Sequence, residues 1–151
     1  MAAVFAYGTL AVPAVMEAVT GRGFEAREAE LAGFARRRLR GRIYPGAVES
    51  PGSRVTGRLY EGVDDATLAR LDRFEGALYE RREVPVLVRG GRGARAVLYV
   101  VAAAHRGELL EEPWDPGEFA TVHLAAYLRG CAAFRAREEA RSASRGEPGP
   151  R

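Results

Sequence analysis

Apolar positions recur along the chain in two rhythms, one of about two residues and one of three to four, and together they lay out a mixed α and β domain. Ala2–Tyr7 is a short, mostly apolar run that reads as a buried first strand. An amphipathic helix comes next over Pro13–Val19, with Pro13 suited to the first turn and Gly21 to the C-terminal cap. Phe24–Gly33 alternates weakly and predicts a second strand, whereas Ile43–Val48 and Ser50–Ser53 carry the glycine and proline of turns. Arg54–Glu61 alternates cleanly, with Val55, Gly57 and Leu59 on one face, and Gly57 lets another backbone come close. Asp64 or Asp65 caps a helix in which Leu68, Leu71 and either Phe74 or Glu75 share a face, and Gly76 ends it. Tyr79–Arg89 is a strand presenting Val84, Val86 and Val88, and Pro85 directs it to a sheet edge or bulge. Gly90–Gly93 turns the chain into a buried strand over Ala94–Ala103, and His105 lies in the loop beyond. Asp115, Pro116 and Glu118 then form a helix start, for a helix from Gly117 to about Arg137. Its expected buried side is Phe119, Val122, Ala126, Tyr127 and Phe134. Residues 138–151 are charged, small and rich in Pro and Gly, and are expected to form a disordered or loosely attached tail behind a single domain of residues 1–137.

Composition changes this picture in two places. The 23 basic residues are all arginine, and the chain has no Lys, Asn or Gln, which fits the coding bias of a GC-rich genome. The net charge of +3 and the dense run Arg36–Arg42 therefore say less about partners than they otherwise would. A nucleic-acid surface calls for aromatic platforms or a recognition helix beside such a run, and neither is evident. A solvated strand face or contact with a small anion fits better, and no nucleic-acid partner is expected. Cys131 is the single cysteine, so no intrachain disulfide forms. No run reaches the roughly 18 apolar residues of a membrane span, and the first residues lack the pattern of a signal peptide. A soluble cytoplasmic protein, monomer or homodimer, is the expectation.

Candidate chemistry is sparse. Two histidines and one cysteine at unhelpful spacing predict no metal site, and there is no dinucleotide-binding glycine pattern, phosphate-loop lysine or nucleophile-elbow serine. No cofactor is expected. Cys131 and His123 read as packed side chains. Two features remain. At Tyr7-Gly8-Thr9-Leu10, a strand runs into a glycine turn ahead of a helix, which can present backbone N–H groups to a negative oxygen, although any small mixed domain can begin this way. Glu75 has apolar Leu71 as a helix neighbour and Gly76 behind it. It lies either against the core at the helix end or in solvent beside Arg73 and Arg81.

Taken together, Phe5-Ala6-Tyr7-Gly8-Thr9-Leu10, Tyr44-Pro45-Gly46, Val55–Tyr60, Leu71-Asp72-Arg73-Phe74-Glu75-Gly76 and Tyr79-Glu80-Arg81 resemble the γ-glutamylcyclotransferase-like superfamily in order and spacing, over about residues 3–119. That superfamily includes γ-glutamylcyclotransferase, γ-glutamylamine cyclotransferase, an enzyme of butirosin biosynthesis and avirulence-induced plant proteins, and the chain is most similar to its short bacterial branch. The resemblance implies an α+β fold, a mixed and partly closed β-barrel flanked by α-helices, with the site in a cavity at one end. It implies that Tyr7, Gly8, Thr9 and Leu10 bind the γ-glutamyl part of a small-molecule substrate, that Glu75 is the catalytic acid/base, and that Tyr79 lines the pocket. The implied activity is a cofactor-independent acyl transfer of the lyase type, releasing pyroglutamate and an amine. The alternative is a relative of the same fold that binds such a ligand without turnover.

Overall fold

The computed structural model describes residues 1–146. Six strands and four α-helices run in the order β1 (Ala2–Ala6), α1 (Pro13–Thr20), β2 (Ala26–Leu39), β3 (Pro45–Val63), α2 (Asp65–Glu75), β4 (Tyr79–Val88), β5 (Arg92–Val101), β6 (Leu109–Pro113), α3 (Pro116–Glu118) and α4 (Leu124–Arg145). β1 pairs antiparallel with β3 and parallel with β5, giving the order β3-β1-β5-β4-β2-β6, and β3 returns to pair with β2. Five strands thereby close into a mixed barrel, and β6 extends it as an extra strand on the far end of β2. The barrel is closed most thinly between β2 and β4, which pair at Ala29↔Val88 and Glu30↔Leu87. Pro85, which has no N–H to give, accordingly sits on the part of β4 that β2 does not reach.

Two apolar cores result. Phe5, Leu31, Leu59 and Leu98 fill the barrel, all at 1 % exposure or less. Val4, Val15, Met16, Val19 and Leu71 fill the space between barrel and helices. β1 serves both through the alternation of its side chains, Val4 facing the helices and Phe5 the barrel. Gly57 allows the closure: a Cβ there would run into the carbonyl oxygen of Ala6 and the ring of Phe5.

The expected turn at 43–48 is met only at Ile43 and Tyr44, which bend in the connection from β2 to β3, and the expected turn at 50–53 is not a chain reversal. β3 is one strand from Pro45 to Val63, and pairing with β2 jumps from Ala32↔Arg54 to Phe34↔Glu49. The extra residues on β3 form a bulge in which Gly52 takes φ 85° and the hydroxyls of Ser50 and Ser53 lie 2.8 Å apart, opposite Gly33 at φ 82°. Turn chemistry here bends a strand pair. Arg36, Arg37 and Arg38 belong to β2, which runs past the expected end at Gly33.

The C-terminal helix also departs from expectation. Asp115 caps it, accepting from the Gly117 N–H at 2.9 Å, but a π-helical turn over Phe119–His123 precedes α4. The wider turn rotates α4 about its axis, so Val122 is 66 % exposed and Ala126 is exposed, while Tyr127, Cys131 and Phe134 face inward. The boundary expected at Arg137 is corrected as well, because α4 continues to Arg145 and Glu138 is buried at 7 % exposure. Its carboxylate accepts from Arg73 Nη2 at 2.6 Å and lies 3.7 Å from Nε of the buried Arg70, which locks α4 onto α2. Of the expected tail, residues 147–151 lie outside the described residues.

Candidate functional site

A cavity of about 360 Å³ opens at one end of the barrel, between the β1–α1 turn, the connection from β2 to β3, the end of α2 and α4. Tyr7, Gly8, Thr9, Leu10, Glu75 and Tyr79 all line it. Arg42, Tyr44, Phe74, Tyr99 and Tyr127 are among the further lining residues, and none of them was singled out for the site from sequence. The phenol groups had no distinguishing signal, since Tyr99 lies in an apolar strand run and Tyr127 on a helix face that reads as core. Barrel closure and the docking of α4 bring them together.

The β1–α1 turn is held from outside by its carbonyls. Arg36 Nη1 donates to Tyr7 O at 3.0 Å, the Tyr60 hydroxyl to Leu10 O at 2.6 Å, and Arg58 Nε to Ala11 O at 3.0 Å. Arg36 also lies over the Trp114 ring, at 5.5 Å from its centroid, so part of the basic run is structural. The turn closes with Ala11 N–H to Gly8 O at 3.1 Å. The N–H groups of Thr9 and Leu10 begin the 3₁₀ turn and so have no partner within it. Gly8 has negative φ (−117°), so conformation alone does not demand glycine there. Space does: a Cβ would sit 2.8 Å from Pro45 Cγ. The Tyr44-Pro45-Gly46 segment packs here because Gly46 in turn leaves room for Val101.

Hydroxyl protons divide the tyrosines into two sets. Tyr7 donates to Tyr99 O at 2.5 Å and accepts from the Ala47 N–H at 3.2 Å; Tyr79 donates to Pro45 O at 2.6 Å; Tyr99 donates to Asp72 Oδ1 at 2.7 Å. These three are committed to the scaffold and present mainly ring surface. Tyr127 accepts from Thr9 Oγ1 at 3.1 Å and Tyr44 accepts from Arg42 Nη1 at 2.8 Å, so each keeps its own O–H proton for a ligand. Burial pushes the phenols of Tyr7, Tyr79, Tyr99 and Tyr127 further up, and they remain protonated donors.

Glu75 is the carboxylate of this cavity. α2 places it: Asp64 accepts from the Thr67 N–H at 2.8 Å to start the helix, Leu71 anchors the inner face at 0 % exposure, and Gly76 at φ 69° stops the chain after Glu75. The residue is half-buried, and among the described residues no cation or hydrogen-bond donor reaches its carboxylate. Burial, with the charge of Asp72 adding to it, pushes its pKa up to about 8. Asp72 itself faces away, bonded to Tyr99 and paired with Arg81 at 3.1 Å. The site thus combines a proton acceptor poised near neutrality, N–H and O–H donors, and aromatic walls. Such a set can move a proton beside a polarised carbonyl.

Comparisons with known proteins agree with this architecture. AIG2-like protein D of Arabidopsis thaliana is 29 % identical over 130 residues, spanning 85 % of this chain and 86 % of that protein. A solved Arabidopsis thaliana structure superposes with a TM-score of 0.68 at 30 % identity, covering 85 % of this chain and 87 % of the other. A solved γ-glutamyl cyclotransferase gives a TM-score of 0.62 over 87 % of this chain and 86 % of its own, and at 18 % identity it speaks for the fold. No helix among the described residues is long and apolar enough to cross a membrane. With residues 4–116 matching its sequence profile, the chain belongs to the family described as "Gamma-glutamyl cyclotransferase, AIG2-like".

Proposed function

We propose that the protein is a γ-glutamyl cyclotransferase acting without a cofactor, with Glu75 as general acid and base. The observation that carries this reading is a cavity-facing carboxylate with no cation beside it among the described residues and a pKa raised to about 8, in the same cavity as a turn whose first N–H groups have no partner within that turn. A γ-glutamyl amide brings its own nucleophile, the α-amino group, which reaches the γ-carbonyl to close a five-membered ring. Holding that pose supplies several kcal/mol of the barrier as avoided entropy. The substrate arrives as an ammonium, and its charge beside Glu75 draws the carboxylate into its ionised form. Glu75 takes one ammonium proton, the freed amine attacks the γ-carbon, and the new C–N bond drives the carbonyl electrons onto oxygen. The N–H groups of Thr9 and Leu10 and the Tyr127 hydroxyl are the donors available to the substrate's negative oxygens. Protonated Glu75 returns that proton to the leaving nitrogen, and the carbonyl re-forms as the original C–N bond breaks. The freed carboxylate takes the second proton from the new ring nitrogen, and pyroglutamate departs with an amine that carries this second proton away as an ammonium.

The test is pyroglutamate release from a panel of γ-glutamyl amines, γ-glutamyl dipeptides and glutathione. At least one member should be turned over, with kcat/KM rising with pH toward about 8 as Glu75 ionises in the free protein. Binding of these compounds with no release from any of them would leave a ligand-binding relative of the same fold.

A further inference from the structure

Arg42 is the cationic side chain of the cavity, and it is held unlike the other arginines of its run. Its Nε and Nη2 donate to Glu108 Oε1 at 3.3 and 3.2 Å, its Nη1 donates to the Tyr44 hydroxyl at 2.8 Å, and its guanidinium carbon lies 5.8 Å from the Tyr44 ring centroid. Those bonds fix the group in place yet leave one N–H on each terminal nitrogen. The other oxygen of Glu108, Oε2, is engaged with His105 Nδ1 at 2.6 Å, so the carboxylate is itself held from the far side. A pre-set fork with free N–H groups matches a carboxylate. Position decides which carboxylate. Thr9 and Leu10 are 6 % and 5 % exposed and form the closed end, Glu75 is half-buried, and the Arg42 side chain is 36 % exposed at the rim. With the reacting carbonyl beside Glu75 and the glutamyl head toward the turn, the departing amine points outward to Arg42 and Tyr44.

Resting on the proposed cyclotransferase reading, we infer that Arg42 selects leaving amines that carry a carboxylate, so that the substrates are γ-glutamyl amino acids or peptides in preference to γ-glutamyl derivatives of neutral or cationic amines. The tyrosine faces beside it accept side chains of varied shape, so the carboxylate is the feature read.

The test compares γ-glutamyl-alanine with γ-glutamyl-alaninamide, which differ in that one charge, in the parent protein, in Arg42→Met and in Arg42→Lys, with melting temperature as the check on folding. In the parent the acid should exceed the amide by about ten- to hundredfold in kcat/KM, chiefly through KM. Arg42→Met should abolish that preference by lowering turnover of the acid while leaving the amide near its parent rate, and Arg42→Lys should restore part of it. Equal use of acid and amide by the parent, or an equal loss on both in Arg42→Met, overturns the inference and leaves the cyclotransferase reading standing. Pyroglutamate release from neither, nor from any other γ-glutamyl compound, overturns the reading itself.

Discussion

Two buried or half-buried glutamates flank α2, and they titrate in opposite directions. Glu138, from α4, lies against Arg73 at 2.6 Å and Arg70 at 3.7 Å, and its pKa is lowered, chiefly by the hydrogen bond from Arg73. Glu75, at the end of α2, has no such partner among the described residues, and burial raises its pKa to about 8. The side-chain chemistry is the same and the environments decide the role. A paired carboxylate is fixed in charge and holds two helices together, whereas an unpaired one facing a cavity is able to exchange a proton near neutral pH.

The largest effect should come from removing the exchangeable proton. Glu75→Gln keeps the shape but cannot accept a proton at neutral pH, so pyroglutamate release should fall by roughly two to four orders of magnitude while ligand binding, measured by calorimetry, persists. The reciprocal change at the paired site should break the fold rather than the chemistry. Glu138→Ala leaves Arg70, 3 % exposed, without its counter-charge and should destabilise by about 2–4 kcal/mol in chemical denaturation. Truncation after Arg137 should destabilise comparably, and an unchanged melting temperature would mean that α4 is not anchored through this residue.

Removing one donor should have an intermediate consequence. Tyr127→Phe keeps the ring contacts with Phe74 and Phe119 but deletes the free O–H, so kcat should drop on the order of ten- to a hundredfold with little change in stability.

The pH dependence of stability sharpens the contrast. Glu75 has a folded pKa above the ordinary 4.5, so below pH 4.5 both states are protonated and nothing is lost. Between pH 4.5 and about 8 the unfolded chain ionises while the folded one does not, and stability declines, by roughly 1–4 kcal/mol in total. Glu75→Gln should remove that decline. Glu138, with its lowered pKa, contributes stability above the ordinary carboxylate range that is lost as pH falls through the folded value. Glu138→Gln should therefore flatten the acid side of the same curve, and melting profiles of the two variants from pH 3 to 9 would separate them. The smallest effect belongs to Asp72→Asn, which keeps an acceptor for Tyr99 but removes a negative charge near Glu75. The acid limb of kcat/KM should move to lower pH; a limb that stayed in place would make burial the whole cause of the Glu75 shift.

The elements whose signals are local were legible from the chain alone. Pro13 and Gly21 bound α1, Asp64 and Gly76 bound α2, and the alternation of Val84, Val86 and Val88 marks β4, because caps and periodicity act within one or two turns of the residues that carry them. The Leu71 spacing brought Glu75 to notice, although it left open whether the carboxylate faced the core. Distant partners settle the rest. Ser50–Ser53 has the composition of a turn, and becomes a bulge only because β2 supplies a continuous pairing edge. Glu138 reads as solvent-facing until Arg70 and Arg73, more than sixty residues earlier, come to meet it. Tyr44, Tyr99 and Tyr127 share one cavity only after five strands close into a barrel and α4 docks across its end. The chain determines which side chains can exchange protons or donate hydrogen bonds. Their burial and their partners come from packing, which leaves Glu75 without a counter-charge among the described residues and gives Glu138 Arg70 and Arg73 of α2 besides Arg141 of its own helix.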